Sequence, residues 1–169
     1  ALYAAHLALS YFDHPPLVGW VQWPLVALDA PTAVLRLIPE ALWLGTALMV
    51  YRIAERMRGL GAQNMDEGLA GYWAVLALAL APLLHVLGIG LLPDTLLMFF
   101  AAALLWLTLH LVEPDALERL RLWVGLGVLL GLAGLSKYTA IFLVLPLAVC
   151  LLRAHGWRVL LHRGAWLAV

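Results

Sequence analysis

Three polar groups stand in places where an otherwise apolar chain has little structural use for them. Asp94 follows Pro93 in LLPDTLLMFF and opens an uninterrupted apolar run; Lys137 separates GLAGLS from YTAIF; His14 lies in SYFDHPPLVGW, beside Asp13 and ahead of two prolines. A carboxylate can take a proton from a hydroxyl, and an ammonium or imidazolium can hold a phosphate and steady charge that develops on it. Each residue also has a plainer reading. Asp94 suits the positive end of a helix macrodipole, Lys137 can snorkel to the interface, and His14 can hydrogen-bond to Asp13. A lysine between two apolar segments is nevertheless costly unless it reaches water, headgroups or an anionic partner.

The medium around these groups follows from composition. The chain has 169 residues, of which 65% are hydrophobic and 12% charged, and its mean hydropathy is +0.97. Those values lie outside the range of soluble domains and describe a membrane protein. A net charge of zero and the lack of a long basic run leave nothing for nucleic acid to bind. Cys150, the lone cysteine, sits in an apolar run and reads as a small hydrophobe. No cofactor is implied. A divalent metal held by His85 with Asp13 or Asp94 stays open, although nothing in the spacing specifies it.

Positioning the polar groups is then a matter of where helices begin and end. Consecutive Pro15 and Pro16 cannot lie inside a helix, so Asp13 and His14 belong to irregular backbone at the water interface. Runs of about 20 apolar residues span a bilayer, and residues 35–54, 69–92 and 94–112 qualify, the second with a kink at Pro82. Residues 122–135 and 138–152 are shorter, which leaves open either a re-entrant hairpin or two helices crossing a thin membrane. Residues 17–33, with Trp20 and Trp23, read as an interfacial helix limited by Pro24 and Pro31, its tryptophans acting as headgroup anchors. The expected architecture is all-α and polytopic: 1–34 as an external loop plus interfacial helix, 35–169 as spans and short loops.

Basic residues orient these spans. If the first span exits into the cytoplasm and the spans alternate, Arg52, Arg56, Arg58, Arg119, Arg121, Arg153, Arg158 and Arg163 all fall inside, leaving Arg36 and Lys137 outside. Asp13, His14, Asp94 and Lys137 then share the outer face. Asp66 and Glu67 fall on the inner side, as first-turn acids of the second span. Glu113, Asp115 and Glu118 interleave with Arg119 and Arg121 in a solvated loop, and Glu40 is placed to pair with Arg36. The chain begins at Ala1 without a charged leader and ends as a new apolar run starts, so it is expected to be an internal piece of a longer multispan protein.

Four blocks in order, YAAHLALSYFDHPPLVGW, VLRLIPEALWLGTALMVYRIAERM, LLPDTLLMFF and GLAGLSKYTAIFLVLP, resemble the bacterial GT-C glycosyltransferases related to protein O-mannosyltransferases and the lipid A aminoarabinose transferase. The resemblance implies the N-terminal part of a GT-C helix bundle in the bacterial inner membrane. It implies transfer of a sugar from a polyprenyl-phosphate donor to a lipid, protein or cell-envelope glycan acceptor on the periplasmic or extracellular face, among membrane lipids. In that family the first external loop carries an acidic base a few residues before a tyrosine. The tyrosine corresponds to Tyr3, so the main base would precede Ala1, and the isolated piece is expected to be inactive. Asp94 corresponds to the second outer acid, His14 to the basic residue of the first loop and Lys137 to the phosphate-side lysine, with Asp13, Tyr138 and Tyr3 in supporting places. Glu40 departs from the family, which tends to have a small residue there. The competing class is a non-enzymatic membrane protein, a transporter or an assembly subunit. Transporters place charges at the midplane of broken helices and often carry internal repeats, and no repeat is visible here.

Overall fold

The computed structural model describes residues 2–12, 14–61 and 69–168. Within them the chain is helical, with no strand among the described residues. The helices are α1 (Leu2–Ala5), α2 (Leu17–Ala27), α3 (Thr32–Leu35), α4 (Leu37–Gly61), α5 (Leu69–Leu80), α6 (Pro82–Ile89), α7 (Pro93–Leu111), α8 (Leu120–Ser136), α9 (Ile141–His155), α10 (Arg158–Leu161) and α11 (Arg163–Leu167). Among them Thr32–Gly59, Pro93–Leu111 and Tyr138–His155 are long and apolar enough to cross a membrane, and the bent pair α5–α6 makes a fourth crossing if counted as one span.

Proline chemistry explains the bend. Pro82 has no N–H to continue the ladder and forces the residue before it out of the helical region. Ala81 accordingly adopts φ −79°, ψ 108°, and α6 leaves α5 at 79°. Pro24 behaves differently from expectation. It lies within α2, which runs three residues further to Ala27, while Pro31 does set the boundary as the residue before α3.

The two short runs form successive helices beside α7, of which Tyr138–His155 is long and apolar enough to cross a membrane and α8 is shorter. The 17 residues of α8 rise about 25 Å at 1.5 Å each. At one end of the pair Lys137 Nζ reaches Asp94 Oδ1 at the start of α7. At the other, the ring nitrogen Nε2 of His155 lies 2.6 Å from the carbonyl oxygen of Leu111 at the end of α7. The segment from Lys137 to His155 therefore runs the length of α7, as a spanning helix would.

α7 is the centre of the bundle. Leu96, Phe100, Leu104 and Leu111 are buried against α2, α8 and α9, sharing a core with Trp123, Leu126, Ala133, Leu147 and Leu151. Within a membrane such packing stabilises through close contact rather than through removal of apolar surface from water, and small residues let helices approach. Gly45 on α4 faces the Phe99 ring of α7, Gly88 on α6 faces Trp43 of α4, and Gly71 on α5 abuts Tyr51 of α4. A Cβ at Gly71 would overlap the Tyr51 ring and stand 2.9 Å from its Cγ, so the ring cannot swing aside without moving its own root. Gly71→Leu would recover up to about 1 kcal/mol of helix propensity against about 1–3 kcal/mol of overpacking. Its unfolding midpoint in detergent is expected to fall; a rise would mean that α4 and α5 do not pack this closely.

The end of the bundle opposite Asp94 is cross-linked by charge. Glu113 accepts from Arg56 of α4 and, at 3.3 Å, from Arg119. Glu55 pairs with Arg58 at 3.2 Å and accepts the Gly71 N–H at 2.6 Å. Glu113 is thus not merely part of a solvated loop: it joins elements 57 residues apart. Asp66 and Glu67 lie outside the described residues. The expected Arg36–Glu40 pair does not form. Both residues are exposed, and the bond joining them is the Glu40 N–H to the Arg36 carbonyl at 3.4 Å; in water the attraction scarcely offsets the ordering of two long side chains.

Candidate active site

Asp94 and Lys137 meet. Asp94 is the second residue of α7, after Leu92 in extended conformation (φ −104°, ψ 160°) and Pro93 at the first helical position, where a missing N–H costs nothing. Thr95, fully buried, fixes this start: its hydroxyl accepts the Leu92 N–H at 3.2 Å and lies 2.9 Å from the carbonyl oxygens of Leu87 and Gly90. Lys137 ends α8. Ser136 is buried and donates to the Ala133 carbonyl at 2.6 Å, and the Lys137 N–H also bonds to Ala133 at 3.1 Å. The backbone then turns extended at Lys137 (φ −157°, ψ 137°) before a 3-10 turn over Tyr138–Ala140. That break swings the lysine off α8 and toward α7, where its ammonium lies 2.5 Å from Asp94 Oδ1. The side chains keep 30% and 46% exposure respectively, so the pair lies open to a ligand rather than sealed in the core. The macrodipole of α7 adds a second positive influence on the same spot.

The other expected residues are placed with varying closeness. His14 is half-buried in the loop before α2, and its carbonyl accepts the Tyr11 N–H at 3.1 Å. Asp13 lies outside the described residues. Tyr3 stacks on Tyr11 with ring centroids 4.2 Å apart, and the Tyr11 hydroxyl donates to the Tyr3 carbonyl at 2.6 Å. Tyr138 directly follows Lys137 and is 64% exposed. His85 is exposed on α6 and sets its ring edge-on to Trp43, with centroids 6.0 Å apart. Among the described residues no group of three or more His, Cys, Asp or Glu side chains could hold a metal ion. The grouping of His85 with Asp94 therefore gains no support from geometry, and its alternative with Asp13 lies outside the described residues.

Two residues carry more than the sequence suggested. Tyr11 pins the N-terminal loop, and Trp20 is more than an interfacial anchor: its indole N–H donates to the Ala8 carbonyl at 3.1 Å and so ties that loop to α2. The tyrosine preceding the Asp-His-Pro-Pro run was the available signal for the first. Nothing in the sequence distinguishes Trp20 from Trp23, which stays 47% exposed.

A helical membrane bundle with an acid–ammonium pair at one end fits more than one class of protein, and comparison with known families decides between them. The dolichyl-phosphate-mannose-protein mannosyltransferase family matches residues 13–169. The chain belongs to this family. Membership of this GT-C family favours the glycosyltransferase reading over the transporter and assembly-subunit readings. Among curated proteins it is similar to the lipid A galacturonosyltransferase RgtD of Rhizobium johnstonii, with 28% identity over 159 residues. That alignment covers 93% of this chain and 31% of the relative, so the chain spans about a third of the relative's length. No solved structure matches. The family match takes in His14, Asp94, Lys137 and Tyr138 together, and leaves Tyr3 outside its bounds.

Proposed function

We propose that the protein transfers a sugar from a polyprenyl-phosphate donor to an acceptor on the outer face of the bacterial inner membrane, with Asp94 and Lys137 at the reacting end of the donor. The observation that carries this reading is the 2.5 Å Asp94–Lys137 pair at the junction of α7 and α8. The sugar carrier named in the family's description and the lipid A named for the relative favour a lipid-linked donor and a lipid A or related envelope acceptor; protein and glycan acceptors belong to the same chemistry.

The chemistry asks little of the protein on the leaving-group side. Departure from the anomeric carbon releases a phosphate that is already anionic, so no acid need protonate it, and a cation beside it suffices. Lys137 supplies that cation, and His14 a second when protonated. A phosphate sharing the Lys137 ammonium loosens its hold on Asp94, which can then turn to the side of the sugar opposite the phosphate and, with the first-loop acid that the family resemblance implies, accept the proton of the acceptor hydroxyl as that oxygen bonds to the anomeric carbon. One displacement of this kind inverts the anomeric configuration. Tyr3 and Tyr138 are assigned supporting places, as is Asp13 by its position in the sequence beside His14.

The test is donor choice by the full-length protein in membranes. A polyprenyl-phosphate hexose is expected to be consumed with inversion, and the nucleotide-activated form of the same hexose to be left untouched. Turnover of the nucleotide sugar alone would defeat the reading.

A further inference from the structure

α1 and the loop after it cover part of α2, and between them lies a hollow of about 270 Å³ lined by Leu2, Tyr3, Val18, Gln22 and Leu91. Gln22 is 9% exposed. Its side-chain amide makes no hydrogen bond among the described residues, yet it is not sealed from solvent, as the Trp43 indole nitrogen is. A primary amide has two donors and a carbonyl acceptor, and burying them unpaired is unfavourable. The lining does not relieve it: Leu2, Val18 and Leu91 are apolar, and the Tyr3 carbonyl already accepts from the Tyr11 hydroxyl. Leu91 is three residues ahead of Asp94, so their Cα atoms are at most about 11 Å apart. The hollow therefore lies toward the Asp94 end of α7.

We infer that this hollow binds a single hydroxyl-bearing sugar ring, with the Gln22 amide donating to one ring hydroxyl and accepting from its neighbour. An amide presents N–H and C=O side by side, which matches a vicinal diol. No charged side chain lines the hollow, which disfavours a phosphate or carboxylate there. Its size falls just below the roughly 300–1,000 Å³ of sites for drug-sized ligands, room for one ring rather than an oligosaccharide. The inference rests on the polyprenyl-phosphate reading above. The ring belongs either to the donor or to a glycosylated acceptor, and the chemistry that recognises it is the same.

Binding of polyprenyl phosphate and of a polyprenyl-phosphate hexose to the full-length protein in lipid nanodiscs separates the cases. Wild type is expected to hold the hexose-bearing lipid about ten-fold more tightly than the bare one. Gln22→Leu should erase that preference while leaving affinity for the bare lipid unchanged. Leucine is close in size and removes an unpaired amide, so the unfolding midpoint should not drop; Leu91→Trp, which fills the hollow, should give the same loss by another route. If the preference survives in both variants but their KM for a hexose-bearing lipid acceptor rises about ten-fold, the ring is the acceptor's. Variants that match wild type in both measurements would show a hollow holding only water and overturn the inference alone. A wild type that binds neither lipid would overturn the polyprenyl-phosphate reading and this one together.

Discussion

Sugar transfer by a full-length Lys137→Ala variant is expected to fall by about 10²–10³-fold, the loss typical when one preorganised group facing a developing negative charge is removed. The ammonium is the charged group that the break between α8 and α9 directs at the start of α7, and it reaches there because Lys137 abandons helical backbone. Stability should scarcely change. Asp94 keeps 46% side-chain exposure, so water can hydrate the carboxylate that loses its partner, and pairs this exposed contribute about 0–1 kcal/mol. An activity loss without a matching fall in the unfolding midpoint is the signature of a chemical role. Lys137→Arg should recover part of the rate, since a guanidinium also binds phosphate but spreads its charge over a planar fork of different reach. A Lys137→Ala variant within three-fold of wild type would remove the lysine from the reaction.

How much of this was open to reading in the sequence differs from residue to residue. Asp94 and Lys137 could be placed at one end of the bundle because proline and apolar run lengths fix where helices start and stop, and alternation does the rest. That they touch, across 43 residues, could not be read, since an interfacial lysine has headgroups and water as equal alternatives. The two short apolar runs were ambiguous for a similar reason: length alone does not separate a crossing from a hairpin. Contacts at both ends of α7, by Lys137 and by His155, show that the second of them runs its length.

Burial was the least legible property. α7 is apolar on all sides, so no polar stripe marks which face meets protein and which meets lipid; the buried face at Leu96, Phe100 and Leu104 emerges only from packing. Gln22 falls within residues 17–33, the stretch that reads as an interfacial helix, and its burial depends on α1 and the loop folding back through Tyr11 and Trp20. Glu113 and Arg36 show opposite failures of local charge reasoning. Glu113 found a tertiary partner in Arg56 beyond its neighbours in sequence, and Arg36 ignored the acid one turn away.

The carboxylate calls for a sharper experiment, because Asp94 serves the fold and the proposed reaction at the same atoms. Asp94→Asn is expected to cut transfer by about 10²-fold or more, within the range of a lost general base, but it also removes the ionic partner of Lys137. Reversing the pair, Asp94→Lys with Lys137→Asp, separates the two effects. The reversed pair can still form an ion pair at the α7–α8 junction, so packing there should be restored relative to either single charge change. It also moves a cation into the first turn of α7, against the macrodipole, at a cost of about 0.3–1 kcal/mol, too little to unfold the bundle. Function should not return, because the cation would occupy the place of the base and the carboxylate would face the leaving phosphate, repelling it. A reversed variant that folds like wild type and stays inactive supports distinct chemical roles for the two residues. One that regains transfer would mean that the pair is a structural clasp and that the reacting groups lie elsewhere in the enzyme.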